Sequence, residues 1–180
     1  MRSQIFIIAA ALACGTEQVC VGTLHAGLFA PSNLHLAMGT LASLSANPGT
    51  ISFHASNPDL GIVSGSSPGN LTWVLLGGSP LQNWTLSVQA GSSTFIGCPT
   101  IPISAVRVSC SSATVSGGGG AGGCSGSFPL STTSQQVAGG NQGDGTNSYS
   151  VLMNFTLDES WHYKANSACT LNLTYSVSAP

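Results

Sequence analysis

A strict two-residue alternation recurs in separate stretches of this chain, and it constrains the fold more than any other feature. Cys169, Leu171, Leu173, Tyr175 and Val177 alternate with Thr170, Asn172, Thr174, Ser176 and Ser178. Successive side chains on a strand point to opposite faces, so this is a strand with one face buried. Trp84, Leu86, Val88 and Ala90 alternate in the same way with Asn83, Thr85, Ser87 and Gln89. Val151, Met153, Phe155 and Leu157 alternate with Ser150, Leu152, Asn154 and Thr156. Residue types and flanking turns predict further strands at 50–55, 71–76, 103–110 and 127–137. Asn57-Pro58-Asp59, Ser67-Pro68-Gly69-Asn70, Gly77-Gly78-Ser79-Pro80 and the glycine runs at 117–123 and 139–145 punctuate them. No stretch shows a convincing helical period. The fold class expected is all-β: an antiparallel, immunoglobulin-like β-sandwich of seven to nine short strands with an extended N-terminal arm.

Composition decides which partners such a sandwich can have. Only three Lys/Arg and five Asp/Glu occur in 180 residues, against about 45 charged residues in an average domain of this size. Nucleic acid is excluded as a partner, because neutralising phosphates takes a basic stripe that these few cations cannot form. Charged disorder and coiled coils fall with it. Thr, Ser and Asn on the outward faces do the hydrating instead, a usual composition for extracellular β structure.

The N-terminus reads as an export signal at residues 1–13. Arg2 is followed by the apolar run IFIIAAALA and by the small-x-small pattern Ala11-Leu12-Ala13. Nine apolar residues cannot span a bilayer, which takes about 20, so no transmembrane span is expected. Cys14 follows directly and offers a lipid-anchored alternative. Ala11, where a lipobox most often has Leu, favours plain secretion to the extracellular cell surface. Residues 14–46 then form an apolar arm or linker, and 47–180 the sandwich. No Asp, Glu, Lys or Arg occurs between Gln18 and Asn57. Leu34, Leu36 and Met38 alternate with His35, Ala37 and Gly39, which predicts one short strand. With Leu41 and Leu44 they are the candidate strand-donor residues.

Six cysteines behind a signal peptide read as disulfides. Spacing along the chain suggests Cys98 with Cys110 and Cys124 with Cys169, leaving Cys14 and Cys20 to each other or to processing. No C-x-x-C pair or spaced His pair supports zinc, and no cofactor is expected. The one dense set of reactive types is Asp158-Glu159-Ser160-Trp161-His162. It reads as a polar turn, since a Ser–His–acid triad is assembled in space and not from neighbours. No catalytic residue is assigned. The 141–147 loop has oxygens at alternate positions but a single carboxylate, Asp144, too few for a calcium loop. The run at 117–123 lacks the Lys-Ser/Thr of a phosphate loop and reads as a flexible hairpin or linker. Four N-x-S/T sequons, at Asn70, Asn83, Asn154 and Asn172, are about what chance predicts in a chain this rich in Ser and Thr. Trp73 and Trp84 read as core. Trp161 has an ambiguous phase and is the candidate glycan contact.

Two segments are similar to a known family. Asn83-Trp84-Thr85-Leu86-Ser87-Val88 resembles the first W-x-L motif of WxL-type bacterial surface domains, and 100–106 (TIPISAV) resembles the Ile-Pro-x-Ser segment that often follows it. The closing strand resembles theirs too, with Tyr175 and Val177 at the places of the second Trp and Leu. The resemblance spans about residues 47–180 and implies a secreted, non-enzymatic β-sandwich attached to the cell envelope. Two functions are therefore expected of such a chain. The first is a structural subunit of the bacterial cell surface, filamentous or pilus-like, self-associating into a homopolymer by strand donation. The second is a module that binds envelope glycan.

Overall fold

The computed structural model describes residues 19–24, 32–37, 40–54, 61–160, 162–163 and 169–179. The signal segment, Cys14, Met38 and Trp161 lie outside them. The described residues are nearly all β, in two six-stranded sheets and one small hairpin.

Among the described residues there are fourteen strands, more than expected, because the arm supplies three and several sheet margins are only two or three residues long. They are β1 (Val19–Leu24), β2 (Ser32–Ala37), β3 (Thr40–Asn47), β4 (Ile62–Ser64), β5 (Gly69–Gly78), β6 (Asn83–Ala90) and β7 (Thr94–Phe95). Then come β8 (Cys98–Pro102), β9 (Val106–Ser116), β10 (Gly123–Cys124), β11 (Ser127–Pro129), β12 (Gln135–Asn141), β13 (Gly145–Asp158) and β14 (Leu173–Ser178). The first sheet runs β1-β2-β14-β6-β12-β10. The second runs β11-β9-β13-β5-β3, with β4 also paired to β13. Every pairing is antiparallel except β2 with β14.

The alternation read from the sequence is the alternation of burial. In β6, Trp84, Leu86, Val88 and Ala90 are buried. In β13 the inward set extends back through Tyr149 to Asn147. The two sheets meet in an aromatic cluster. Trp73 of β5 stacks on Tyr149 of β13, with centroids 5.1 Å apart and planes 2° from parallel. Trp84, from the other sheet, stands edge-on to both at 5.3 and 5.5 Å. Offset stacks and edge-to-face contacts at this range suit the ring quadrupoles. These tryptophans join the layers, so neither is a surface platform.

Four segments differ from expectation. The single strand expected at 127–137 is two, β11 and β12, which belong to different sheets because the chain crosses between the layers at 130–134. Residues 50–54 make no strand. They run across the end of the sandwich, with Ser66 N–H donating to Ser52 O at 2.8 Å. The strand expected at 103–110 begins with a 3₁₀ turn, Ile103–Ala105, which carries the chain from the β7–β8 hairpin into β9. The run at 117–123, expected as a flexible hairpin or linker, is closely packed. Residues 117–123 and 139–145 lie backbone against backbone: a Cβ on Gly140 would overlap the Ala121 carbonyl, and one on Gly118 would overlap the Asp144 backbone. Gly118 also has φ +46, a region most L-residues avoid. These runs cap the aromatic cluster. Trp84 Nε1 donates to Ala121 O at 3.2 Å, and Tyr149 Oη donates to Gln142 O at 2.7 Å.

Candidate functional site

The two flanks of the sandwich are built differently. One is closed by short strands and a covalent staple. There β10 and β11, two and three residues long, are the outermost strands of their sheets. Short margins leave little backbone for an intruding strand to pair with. Cys110 of β9 is bonded to Cys124 of β10, so this disulfide ties one sheet to the other. The second disulfide joins Cys98 of β8 to Cys169. It sits beside a small bridge in which Ile96 and Thr170 exchange backbone hydrogen bonds at 2.8 and 3.1 Å.

The four cysteines Cys98, Cys110, Cys124 and Cys169 are thus bonded as the sequence suggests, but with partners exchanged. Nearness along the chain misled because β8 pairs with β7 and not with β9. The 3₁₀ turn redirects the chain, and Cys110 lies five positions into β9, where β10 passes it.

The opposite flank is covered by the arm. β14 and β5 would be the outermost strands of their sheets without it. Against β14 lies β2 in parallel register, with Leu34 opposite Tyr175 and Leu36 opposite Val177. Against β5 lies β3, with Leu41 opposite Leu75 and Leu44 opposite Trp73. β2 belongs to the first sheet and β3 to the second, with two residues of sequence between them. The arm therefore pairs with its own sandwich, and β3 continues past the expected boundary at residue 46. Of the candidate donor residues, Leu34, Leu36, Leu41 and Leu44 occupy paired backbone positions. Ser45 Oγ and Thr72 Oγ1 add a 2.7 Å side-chain hydrogen bond between β3 and β5.

Sequence reasoning missed a cavity of about 370 Å³ at one end of the sandwich, beneath residues 48–54. Phe53, Ile101, Phe155, Leu157, Leu171 and Tyr175 are among its walls. They come from four segments far apart in sequence, so no local pattern announces it. Burial drives the Tyr175 phenol far above its ordinary range, in keeping with apolar surroundings.

The polar turn at 158–162 has the geometry of a turn. Ser160 Oγ lies 3.1 Å from His162 Nδ1 and also accepts from the His162 backbone N–H at 3.3 Å. Tyr163 N–H donates to Ser160 O at 3.0 Å, closing the turn. A hydroxyl that bonds the residue two positions on is a local ST-turn. Among the described residues no cluster of three or more His, Cys, Asp or Glu is placed to hold a metal ion, and no helix is long and apolar enough to cross a membrane. Trp84 and Leu86, which carry the W-x-L resemblance, are buried in the core. The glycan contact considered at Trp161 lies outside the described residues. Comparison with protein-family models, with curated proteins and with solved structures gave no match.

Proposed function

We propose that this chain is a secreted, non-enzymatic structural subunit of the bacterial cell surface, assembling into a filament by donating its N-terminal arm to the next copy. The observation that carries this reading is the pairing of β2 and β3 along the open edges of β14 and β5. Main-chain hydrogen bonds along a strand do not distinguish an arm of the same chain from that of a neighbour. The partners of β2 in β14 lie more than 130 positions away in sequence, so the arm is a separable element and exchange between copies preserves every pairing. The blunted far flank leaves a single receptive side. Two disulfides fit an oxidising, extracellular setting, and the scarcity of charge removes the repulsion that keeps copies apart.

The register supplies the test. His35 of β2 lies opposite Ser176 of β14. A His35→Cys chain mixed with a Ser176→Cys chain under assembly conditions should yield a disulfide between the two chains, identified by peptide mass spectrometry, together with filaments in negative stain. A bond that forms only within a chain carrying both substitutions, with none in the mixture, would overturn strand donation.

A further inference from the structure

Strand donation needs a point at which the arm leaves its own body, and the packing around residues 47–54 fixes that point. Pairing of β3 with β5 ends at Asn47, opposite Asn70. From Ile51 onward the chain is held by the body instead. Ser52 N–H donates to Ser66 Oγ at 3.1 Å, and Ser66 N–H donates to Ser52 O at 2.8 Å. Ile51 sits directly on a pair of glycines. A Cβ on Gly65 would lie 2.6 Å from its Cγ2, and one on Gly69 would lie 3.4 Å from its Cδ1. Ile51 and Phe53 both pack against the core. Gly65 is itself tied to β13, its N–H donating to Phe155 O at 2.8 Å. None of these partners belongs to the arm.

Between the two anchors lie only Pro48, Gly49 and Thr50. When the arm is exchanged, Asn47 takes its place opposite Asn70 of the acceptor, while Ile51 stays on Gly65 and Gly69 of the donor. The path from Asn47 to Ile51 stretches to about 14 Å at most, at about 3.3–3.6 Å per residue. Strand pairing adds about 5 Å between Asn47 and Asn70, and the Ile51 side chain spans the short remaining gap to Gly69. The Gly69–Asn70 segments of donor and acceptor therefore lie within about 30 Å of each other. Copies stacked head to tail along their strands cannot meet that limit. The longest strand, β13, has 14 residues, about 45 Å at about 3.3 Å per residue. Head-to-tail stacking separates equivalent residues by at least that length.

We infer that successive copies join at like ends, where β3 meets Asn70, through the three-residue tether 48–50. They therefore stand side by side or in a zigzag, not head to tail. The clamp of Ser52 on Ser66 and of Ile51 on Gly65 stays closed during exchange and is the stop that limits the tether. The inference rests on the filament reading and adds the geometry of its junction.

Two measurements on the whole secreted chain test it. In helical reconstruction of wild-type filaments, the Gly69–Asn70 segments of chains joined by donation should lie within about 30 Å, with an axial rise below that value. A rise of about 45 Å or more, with the arm still exchanged, would overturn the like-end junction and leave strand donation standing. The second measurement locks the clamp. Ser52→Cys with Ser66→Cys places a disulfide between residues already joined by hydrogen bonds. Peptide mapping checks that Cys98–Cys169 and Cys110–Cys124 are retained. The locked chain should assemble at the same critical concentration as the parent and with the same rise. Loss of assembly on locking, with Ser52→Ala/Ser66→Ala still assembling, means that the clamp opens, and overturns the short tether. A wild-type chain that stays monomeric at high concentration removes the filament reading, and this junction with it.

Discussion

Removing the disulfides one at a time separates their contributions and checks the pairing directly. Cys98 and Cys169 are 71 residues apart, and Cys110 and Cys124 are 14 apart. A cross-link stabilises mainly by restricting the unfolded chain, and the restriction grows with the logarithm of the loop. That relation gives about 4.4 kcal/mol for the longer loop and about 3.0 kcal/mol for the shorter. Replacing both cysteines of a pair by alanine avoids leaving a lone thiol. Cys98 is fully buried and Cys110 only half-buried, so the alanine at 98 also leaves a small void, which widens the gap. With a urea m-value of about 2 kcal/mol/M, the midpoint should drop by about 2 M for the 98/169 variant and about 1.5 M for the 110/124 variant. Tryptophan fluorescence is a suitable reporter, because Trp73 and Trp84 sit in the core cluster. An equal or larger drop for the 110/124 variant would refute the loop-entropy argument. A thiol assay on the single variant Cys98→Ala checks the pairing itself: the freed thiol should map to Cys169, and finding it at Cys110 would refute the pairing.

Three further outcomes are expected. Trp73 Nε1 is buried without a partner, whereas Trp84 Nε1 donates to Ala121 O; Trp73→Phe should therefore cost less stability than Trp84→Phe, by about 1 kcal/mol in chemical denaturation. Gly140→Ala forces a Cβ against the Ala121 carbonyl, and should destabilise by about 1–3 kcal/mol. At Gly119, which has open space and φ +69, an alanine meets only backbone strain of about 1 kcal/mol, so melting curves should rank Gly140→Ala as the less stable of the two. Burial raises the phenol pKa of both Tyr149 and Tyr175 above the ordinary 10.0. Folding thus favours the protonated phenol, and the stability it adds is complete below pH 10. It is lost as pH rises further, because the unfolded phenols release their protons first. Stability measured against pH should fall above about 10, and Tyr175→Phe should flatten that fall; a profile unchanged by Tyr175→Phe would count against it.

The burial pattern is legible in the amino-acid order because it is local. Side chains alternate across any strand, so Trp84, Leu86 and Val88, or Val151, Met153 and Phe155, name their own inward face wherever the strand lies. The same alternation excludes a helical fold. That Cys98, Cys110, Cys124 and Cys169 form disulfides is legible for a similar reason: an even set of cysteines within or beside the sandwich segments reads as cross-links. The candidate sites are less legible. Leu34, Leu36, Leu41 and Leu44 stand out as an apolar arm, but nothing in their spacing says which strands they meet.

Those outcomes belong to tertiary structure. Cys98 bonds Cys169 because β8 pairs with β7 and places its sulfur near the segment before β14. The glycine runs form close-packed caps because two separate backbone segments approach within the space a Cβ would need. β2 lies beside β14 because pairing there covers an edge of otherwise unbonded backbone groups. The cavity exists because segments far apart in sequence fail to fill one end of the sandwich. Sequence by itself determined which faces turn inward, a matter of neighbours along the chain. Only the fold decided which strands, sulfurs and ends meet, because those contacts join residues tens to more than a hundred positions apart.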